Sequence, residues 1–237
     1  MRIPRTHRWD LSVAEARRLQ RRLATTVETK SRLPAVHLVA GADVAYTTDG
    51  RHLLAAVVVL ALPTLEIVEH AVAEGRVTFP YVPGLLGFRE APVVLRACAA
   101  LRRRPDVLVC DGQGMAHPRR FGLACHLGYC LGLPTVGCAK TRLLGTHAAV
   151  GTARGRWAWL VDGRERLGMV LRTRADVRPV FVSPGFAIGF RDAAAVVLRT
   201  AVGFRLPEPT RQAHLLVNAV RRGERPGVWG GSRPPRA

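Results

Sequence analysis

Acidic residues are scarce in this chain: 17 stand against 36 basic ones among 237 residues, giving a formal net charge of +19. Lysine is scarcer still, since Lys30 and Lys140 are the only two and arginine supplies the other 34 cations. No apolar run approaches the length of a membrane-spanning helix, the longest being Leu53 to Leu62. The first eight residues lack the apolar segment of a signal peptide, so the expected location is the cytoplasm, away from membranes. Cysteine is sparse and shows no C-x-x-C pair. Cys98, Cys110, Cys125, Cys130 and Cys138 are odd in number and lie in apolar patterns, which implies buried reduced thiols and no disulfide framework. A zinc site built from Cys125, His126, Cys130 and Cys138 has the spacing of neither a ribbon nor a finger.

What the chain does have is apolar content, 48% of residues, enough at this length for a substantial core. The positive excess points to nucleic acid or another polyanion. An arginine-rich composition of the kind a GC-rich genome produces would give the same excess, so charge alone identifies no partner.

Residues 10–28 carry Leu11, Val13, Ala16, Leu19 and Leu23 among charges, the pattern of an amphipathic helix with Asp10 as its cap. Apolar runs at 37–46, 52–62 and 66–75 are strand-length. Their connections, Thr47 to Arg51 and Pro63-Thr64, are short enough to demand antiparallel neighbours. The pattern then alternates: helix 88–103, strand 106–111, helix 118–132, strand 134–139. That alternation implies parallel strands with crossover helices. A strand pair near 157–161 and 168–173, a strand at 180–183, and helices at 190–202 and 209–222 complete an α/β reading. One domain over 1–222 is expected, with a Gly-, Pro- and Arg-rich tail over 223–237 that composition marks as disordered.

Three acids sit where acids are expensive. Asp43 lies within Val39-Ala-Gly-Ala-Asp-Val-Ala-Tyr, Asp111 ends the strand Val107-Leu-Val-Cys, and Glu90 follows Leu85-Leu-Gly-Phe-Arg. A buried unpaired carboxylate costs several kcal/mol, roughly, so each needs a partner. Taken singly, Asp43 and Asp111 fit strand-end turn formers, and Glu90 fits the favourable first turn of a helix. Taken together, in a meander that feeds parallel strands, they fit a ribonuclease-H-like mixed sheet whose first and fourth strands lie side by side. Three carboxylates there suit Mg2+, a hard ion that prefers oxygen ligands and keeps water in its shell.

The blocks Phe79-Pro-Tyr-Val-Pro-Gly-Leu-Leu-Gly-Phe-Arg-Glu, Asp111-Gly-Gln-Gly-Met-Ala-His-Pro-Arg-Arg-Phe-Gly, Gly137-Cys-Ala-Lys and Leu206-Pro-Glu-Pro-Thr-Arg-Gln-Ala-His, taken in order with the Asp43 strand, resemble the endonuclease V family. The resemblance runs from about residue 10 to 222. It implies a Mg2+-dependent endonuclease, with Mn2+ able to replace Mg2+, acting on single- or double-stranded DNA that contains deoxyinosine. Family members nick the second phosphodiester bond 3′ to the lesion and leave 3′-hydroxyl and 5′-phosphate ends. Asp43, Glu90 and Asp111 match the family's metal-binding acids, with His214 assisting and Lys140 near the scissile phosphate. Tyr81, held between Pro80 and Pro83, resembles its strand-separating wedge. Gly84, Gly112 and Gly114 would allow backbone to approach an extruded base, His117 heads the lesion-recognition segment, and Arg119 or Arg120 would meet phosphates. For His214, Lys140, the arginines and Gly84 the plainer alternatives remain surface charges and ordinary turn chemistry. Gln113 and Phe186 depart from histidines common in relatives, which leaves lesion range and the choice between DNA and inosine-containing RNA open. The chain is expected to act as a monomer. Competing readings are a related nuclease cutting inosine RNA or branched DNA, and a basic nucleic-acid-binding protein without catalysis.

Overall fold

The computed structural model describes residues 1–224, so nearly all of the tail expected over 223–237 lies outside the described residues. Helix α1 (Val13–Ala24) starts from Ser12 and not from Asp10. Ser12 Oγ accepts from Glu15 N–H at 3.3 Å, and Glu15 accepts from Ser12 N–H at 2.8 Å. This reciprocal box satisfies two amides that the first turn leaves open. Asp10 has Val13 three residues on and cannot form one.

Strands β1 (Leu38–Tyr46), β2 (His52–Ala61) and β3 (Glu66–Arg76) form the expected antiparallel meander. The interior of β2 is buried throughout, because both faces of the sheet are covered there; this is why it reads as a continuous apolar run instead of an alternation. Helix α2 (Leu86–Ala100), strand β4 (Val107–Cys110), helix α3 (Leu123–Leu131) and strand β5 (Thr135–Ala139) follow. β4 pairs in parallel with β1 on one side and β5 on the other. Strands β6 (Trp157–Asp162), β7 (Glu165–Leu171) and β8 (Val180–Phe186) extend the sheet antiparallel, giving the order β3-β2-β1-β4-β5-β8-β7-β6. Helices α4 (Phe190–Thr200) and α5 (Glu208–Arg221) close the chain's core.

The mixed sheet is ribonuclease-H-like, as expected. Val39, Ala45 and Val58 pack with Val197, Leu216 and Val217 of α4 and α5 on one face. Ala40, Ala42 and Val57 pack with Val94, Ala97 and Leu127 of α2 and α3 on the other. α1 seals the loops that carry Phe79 and Phe121, with Leu19 and Leu23 against Phe79, Phe88 and Phe121.

Two of the further boundaries that differ from the sequence reading have a plain physical cause. α3 begins at Leu123 and not at 118, because Arg120 takes a left-handed conformation (φ 54°) that ends any helical run through it. β8 runs on to Phe186, since pairing with β5 continues past an irregularity at Thr135/Val136.

Candidate active site

β4 is short, and this creates the site. Its last pairing with β1 is Cys110 against Ala42, so Asp43 and Asp111 each stand one residue beyond that last rung. Open α/β sheets bind ligands at this carboxyl end of parallel strands. Alternation along β1 turns Asp43 to the face covered by α5, whereas Tyr46 faces α2. Glu90 projects from α2, one position past the first turn, so a favourable helix-start location does not account for it. Asp43, Glu90 and Asp111 line one crevice with Ala42, Val44, Cys110, Leu123 and Leu127.

The apolar walls dictate the electrostatics. Burial, with the charge of Asp111 nearby, raises the Asp43 carboxyl above its ordinary range. Burial pushes Glu90 up to about 7, and the charges of Asp43 and Asp111 add to this. Each acid leans on its own partner. His214 Nδ1 lies 2.7 Å from Asp43 Oδ2, Tyr46 Oη donates to Glu90 Oε1 at 3.0 Å, and the Lys140 ammonium is paired with Asp111. Arg89 Nε donates to Tyr46 Oη at 3.0 Å and its Nη1 to Phe79 O at 2.6 Å, tying the loop that follows Phe79 to the acid cluster. The three acids do not close into a tight cage. Among the described residues, the trio whose donor atoms all lie within 4.8 Å of one another is a different one, His7, His126 and Cys130.

His214 reaches Asp43 because α5 lies almost on β1. A Cβ on Gly41 would stand 2.1 Å from the Pro209 carbonyl carbon, so only glycine permits the approach. Lys140 directly follows β5, and Arg205 Nη2 fixes its carbonyl at 2.6 Å.

Beside the acids opens a pocket of about 1040 Å3, part of it open solvent. Tyr81, Pro83, Gly84, Gly112, Gln113 and His117 line it together with Asp111 and Lys140. Tyr81 is 71% exposed, an aromatic ring standing free at the mouth. The Gly84 carbonyl is the hinge of this wall and accepts three donors: Gln20 Nε2 at 3.0 Å, His117 Nε2 at 3.0 Å and Arg119 Nη2 at 2.7 Å. His117 Nδ1 accepts from Arg119 N–H at 3.1 Å, which places the ring proton on Nε2. Burial, reinforced by Arg119, lowers His117 to about 4, so it is a neutral donor. Gly84 sits at φ 78° and its missing Cβ makes room for Arg119.

Several sequence expectations resolve differently. Arg119 spends its guanidinium on Gly84 O and Gln20 Oε1, and Arg120 on Asp162 and Glu165, so neither side chain is turned to an open phosphate track. Gly114 does not border the pocket: its missing Cβ is filled by the Pro184 carbonyl, 2.1 Å away. Pro80 is likewise outside the lining. Cys138 packs in the core on the α4/α5 face, whereas Cys130 packs on the α2/α3 face, so the cysteine set weighed for zinc is not assembled. Gln20, Tyr46, Arg89 and Arg205 were not anticipated. Their roles depend on partners far away in sequence, and no local pattern marks them.

A sheet of this order with acids at the β1 and β4 ends is that of ribonuclease-H-like nucleases. Comparison narrows the class, for residues 19–215 match endonuclease V. The chain therefore belongs to the endonuclease V family and is an endonuclease acting on DNA. A relative from Roseiflexus sp. (strain RS-1), named endonuclease V, is 49% identical over 210 residues, covering 89% of this chain and 94% of its own. The crystal structure of the Streptomyces avermitilis endonuclease V is similar with a TM-score of 0.87 at 44% identity, covering 91% of this chain and 95% of that one. That of a Ciona intestinalis endonuclease V, in complex with DNA containing an inosine followed by a ribo-adenosine, shares the fold with a TM-score of 0.80 at 24% identity, covering 89% and 97%.

Proposed function

We propose that this chain nicks deoxyinosine-containing DNA at the second phosphodiester bond 3′ to the lesion, leaving 3′-hydroxyl and 5′-phosphate ends. The carrying observation is that Asp111 and Lys140 belong both to the acid cluster and to the wall of the Tyr81–Gly84–His117 pocket. One nucleic-acid strand can then put a base in the pocket and a nearby phosphate at the acids. Family membership and the inosine-containing DNA held by the Ciona protein support the substrate.

Mg2+, replaceable by Mn2+, is the ion this reading assigns to Asp43, Glu90 and Asp111, with His214 at the rim. The donors fit: they are hard carboxylate oxygens whose burial and mutual repulsion a divalent cation would relieve, and a Mg2+ site retains water without needing a closed protein cage. When bound, the ion supplies charge neutralisation at the phosphate and an acidified water. The chain's own residues do the rest. His214 orients the Asp43 carboxylate and Tyr46 orients Glu90. Lys140 stands beside Asp111, where its ammonium offsets charge developing on the phosphate. Tyr81 takes the place of the extruded base in the stack. Gln20, His117 and Arg119 hold the loop that positions it.

Action in a reducing compartment such as the cytoplasm fits five free, buried cysteines. The test is incubation with Mg2+ and end-labelled duplexes carrying one inosine, uracil or mismatch, with undamaged duplex and inosine RNA alongside. A single cut at the second bond 3′ of inosine in DNA is expected. Preferred cleavage of RNA, or cutting indifferent to inosine, would overturn the assignment.

A further inference from the structure

The segment preceding α1 lies along α3, where Arg5 N–H donates to the Cys130 carbonyl at 3.1 Å. Its His7 ring stacks against the His126 ring, with centroids 4.9 Å apart. His126 and Cys130 are four residues apart on α3, so they project from one helical face towards His7. A ring nitrogen from each histidine and the Cys130 sulfur all lie within 4.8 Å of one another. None of the three lines the acid crevice.

We propose that His7, His126 and Cys130 bind one zinc-class divalent ion, which fastens the segment before α1 to α3. Imidazole nitrogen and thiolate sulfur select zinc-like ions over Mg2+, which favours oxygen. His7 Nδ1 lies 2.8 Å from the Arg8 carbonyl, so it carries the proton there and leaves the Nε2 lone pair free. A backbone carbonyl fixes ligating histidines in this way. His7 Nε2 and His126 Nε2 face each other at 2.6 Å, sharing one proton. Tetrahedral zinc with Zn–N near 2.0–2.1 Å needs those nitrogens roughly 3.4 Å apart, a widening of under about 1 Å. His7 belongs to an irregular, half-buried segment and can supply it. Binding releases one proton, that of the Cys130 thiol, while the His126 proton passes from Nε2 to Nδ1 so that both rings ligate as neutral imidazoles. A groove lined by His7, Leu11 and Glu15 opens the His7 side of this trio to solvent.

Co2+ titrated into the metal-stripped full chain tests this, because cobalt bound to thiolate shows an intense near-ultraviolet charge-transfer band that oxygen ligands do not give. One equivalent should saturate the band, Cys130→Ala should abolish it, and Zn2+ should raise the thermal midpoint of the parent chain but not of His7→Ala. If Cys130→Ala fails to fold, His7→Ala carries the same comparison through a weakened band. No band in the parent chain, or a band that survives both substitutions, overturns the proposal. Asp43→Ala should keep the band while losing nicking, so the fate of this site and that of the acid cluster are read separately.

Discussion

Asp43 is a carboxylate in a place where the fold would be easier to build without one. Burial and the charge of Asp111 both disfavour its ionised form, and only His214 and the Val44 amide work the other way. Asp43→Asn keeps the shape and removes the repulsion. Nicking should fall by more than roughly 10²-fold, the scale of single electrostatic contacts to a transition state, while the thermal midpoint stays level or rises. Active Asp43→Asn protein, or a clearly lowered midpoint, would show that the residue serves the fold. His117 makes a second residue-level case, in which pH is the variable. Unfolded, it takes a proton near pH 6.5; folded, it resists until about 4. Its contribution is therefore complete above pH 6.5 and disappears as the pH falls through 4, a loss on the order of 3 kcal/mol. Glu90 acts oppositely over an overlapping range: its folded value of about 7 gives stability that is present below 4.5 and lost as the pH rises through 7. The clean measurement is thus a difference. The stability gap between the parent chain and His117→Gln, from denaturant titrations at pH 7.5 and 4.5, should narrow in acid. A gap independent of pH would mean that His117 is not a buried neutral donor.

Whole elements are placed by contacts that a single side chain can veto. α5 brings His214 to Asp43 only because Gly41 lets the Pro209 backbone press on β1. Gly41→Ala should cost about 1–3 kcal/mol of stability as an overpacked core, and it should lower nicking too, because α5 must retreat. His214→Ala, at an exposed side chain, should lower nicking without the stability loss. Equal stability of Gly41→Ala and the parent chain would refute the close packing. α1 acts on the Gly84 loop through Gln20, which donates to both Gly84 O and Phe121 O. Gln20→Ala leaves the Phe121 carbonyl unpaired, at about 1–3 kcal/mol, and frees the loop. Discrimination between inosine-containing and undamaged duplex should fall several-fold in competition nicking, and unchanged discrimination would make Gln20 a purely structural strut. These two cases show what sequence could reveal. The meander and the parallel strands were legible, since apolar runs joined by two to five residues admit few topologies. Asp43 and Asp111 were legible because acids in apolar strands are anomalies. Gln20 was not, for its partners lie 64 and 101 residues away. Gly114 was legible as a close approach but not as an approach by what: the neighbour is the chain's own Pro184 carbonyl, not a base.

At the scale of the molecule, the question left by a net charge of +19 is whether it has a direction. Uniform arginine enrichment would spread it evenly, whereas a nucleic-acid surface gathers it. Some of it stands at the pocket mouth: Lys140 and Arg142 line the cavity, and Arg17 and Arg21 of α1 act on the nearby Arg119 guanidinium. Exposed Arg102 and Arg103 lie at the opposite, amino end of β4. If the mouth is the DNA track, affinity for inosine duplex should fall with a log–log salt slope of about −4 or steeper, each neutralised phosphate contributing roughly 0.9. Replacing both Arg17 and Arg21 by Glu should flatten that slope by about two phosphates' worth, whereas the same change at Arg102 and Arg103 should leave it nearly intact. Fluorescence anisotropy from 50 to 400 mM salt reads both, roughly the range over which counterion release dominates binding. Equal flattening by the two pairs would mean that the charge acts as an undirected field. The basicity would then reflect composition, and the binding surface would have to be sought in the polar contacts of the pocket alone.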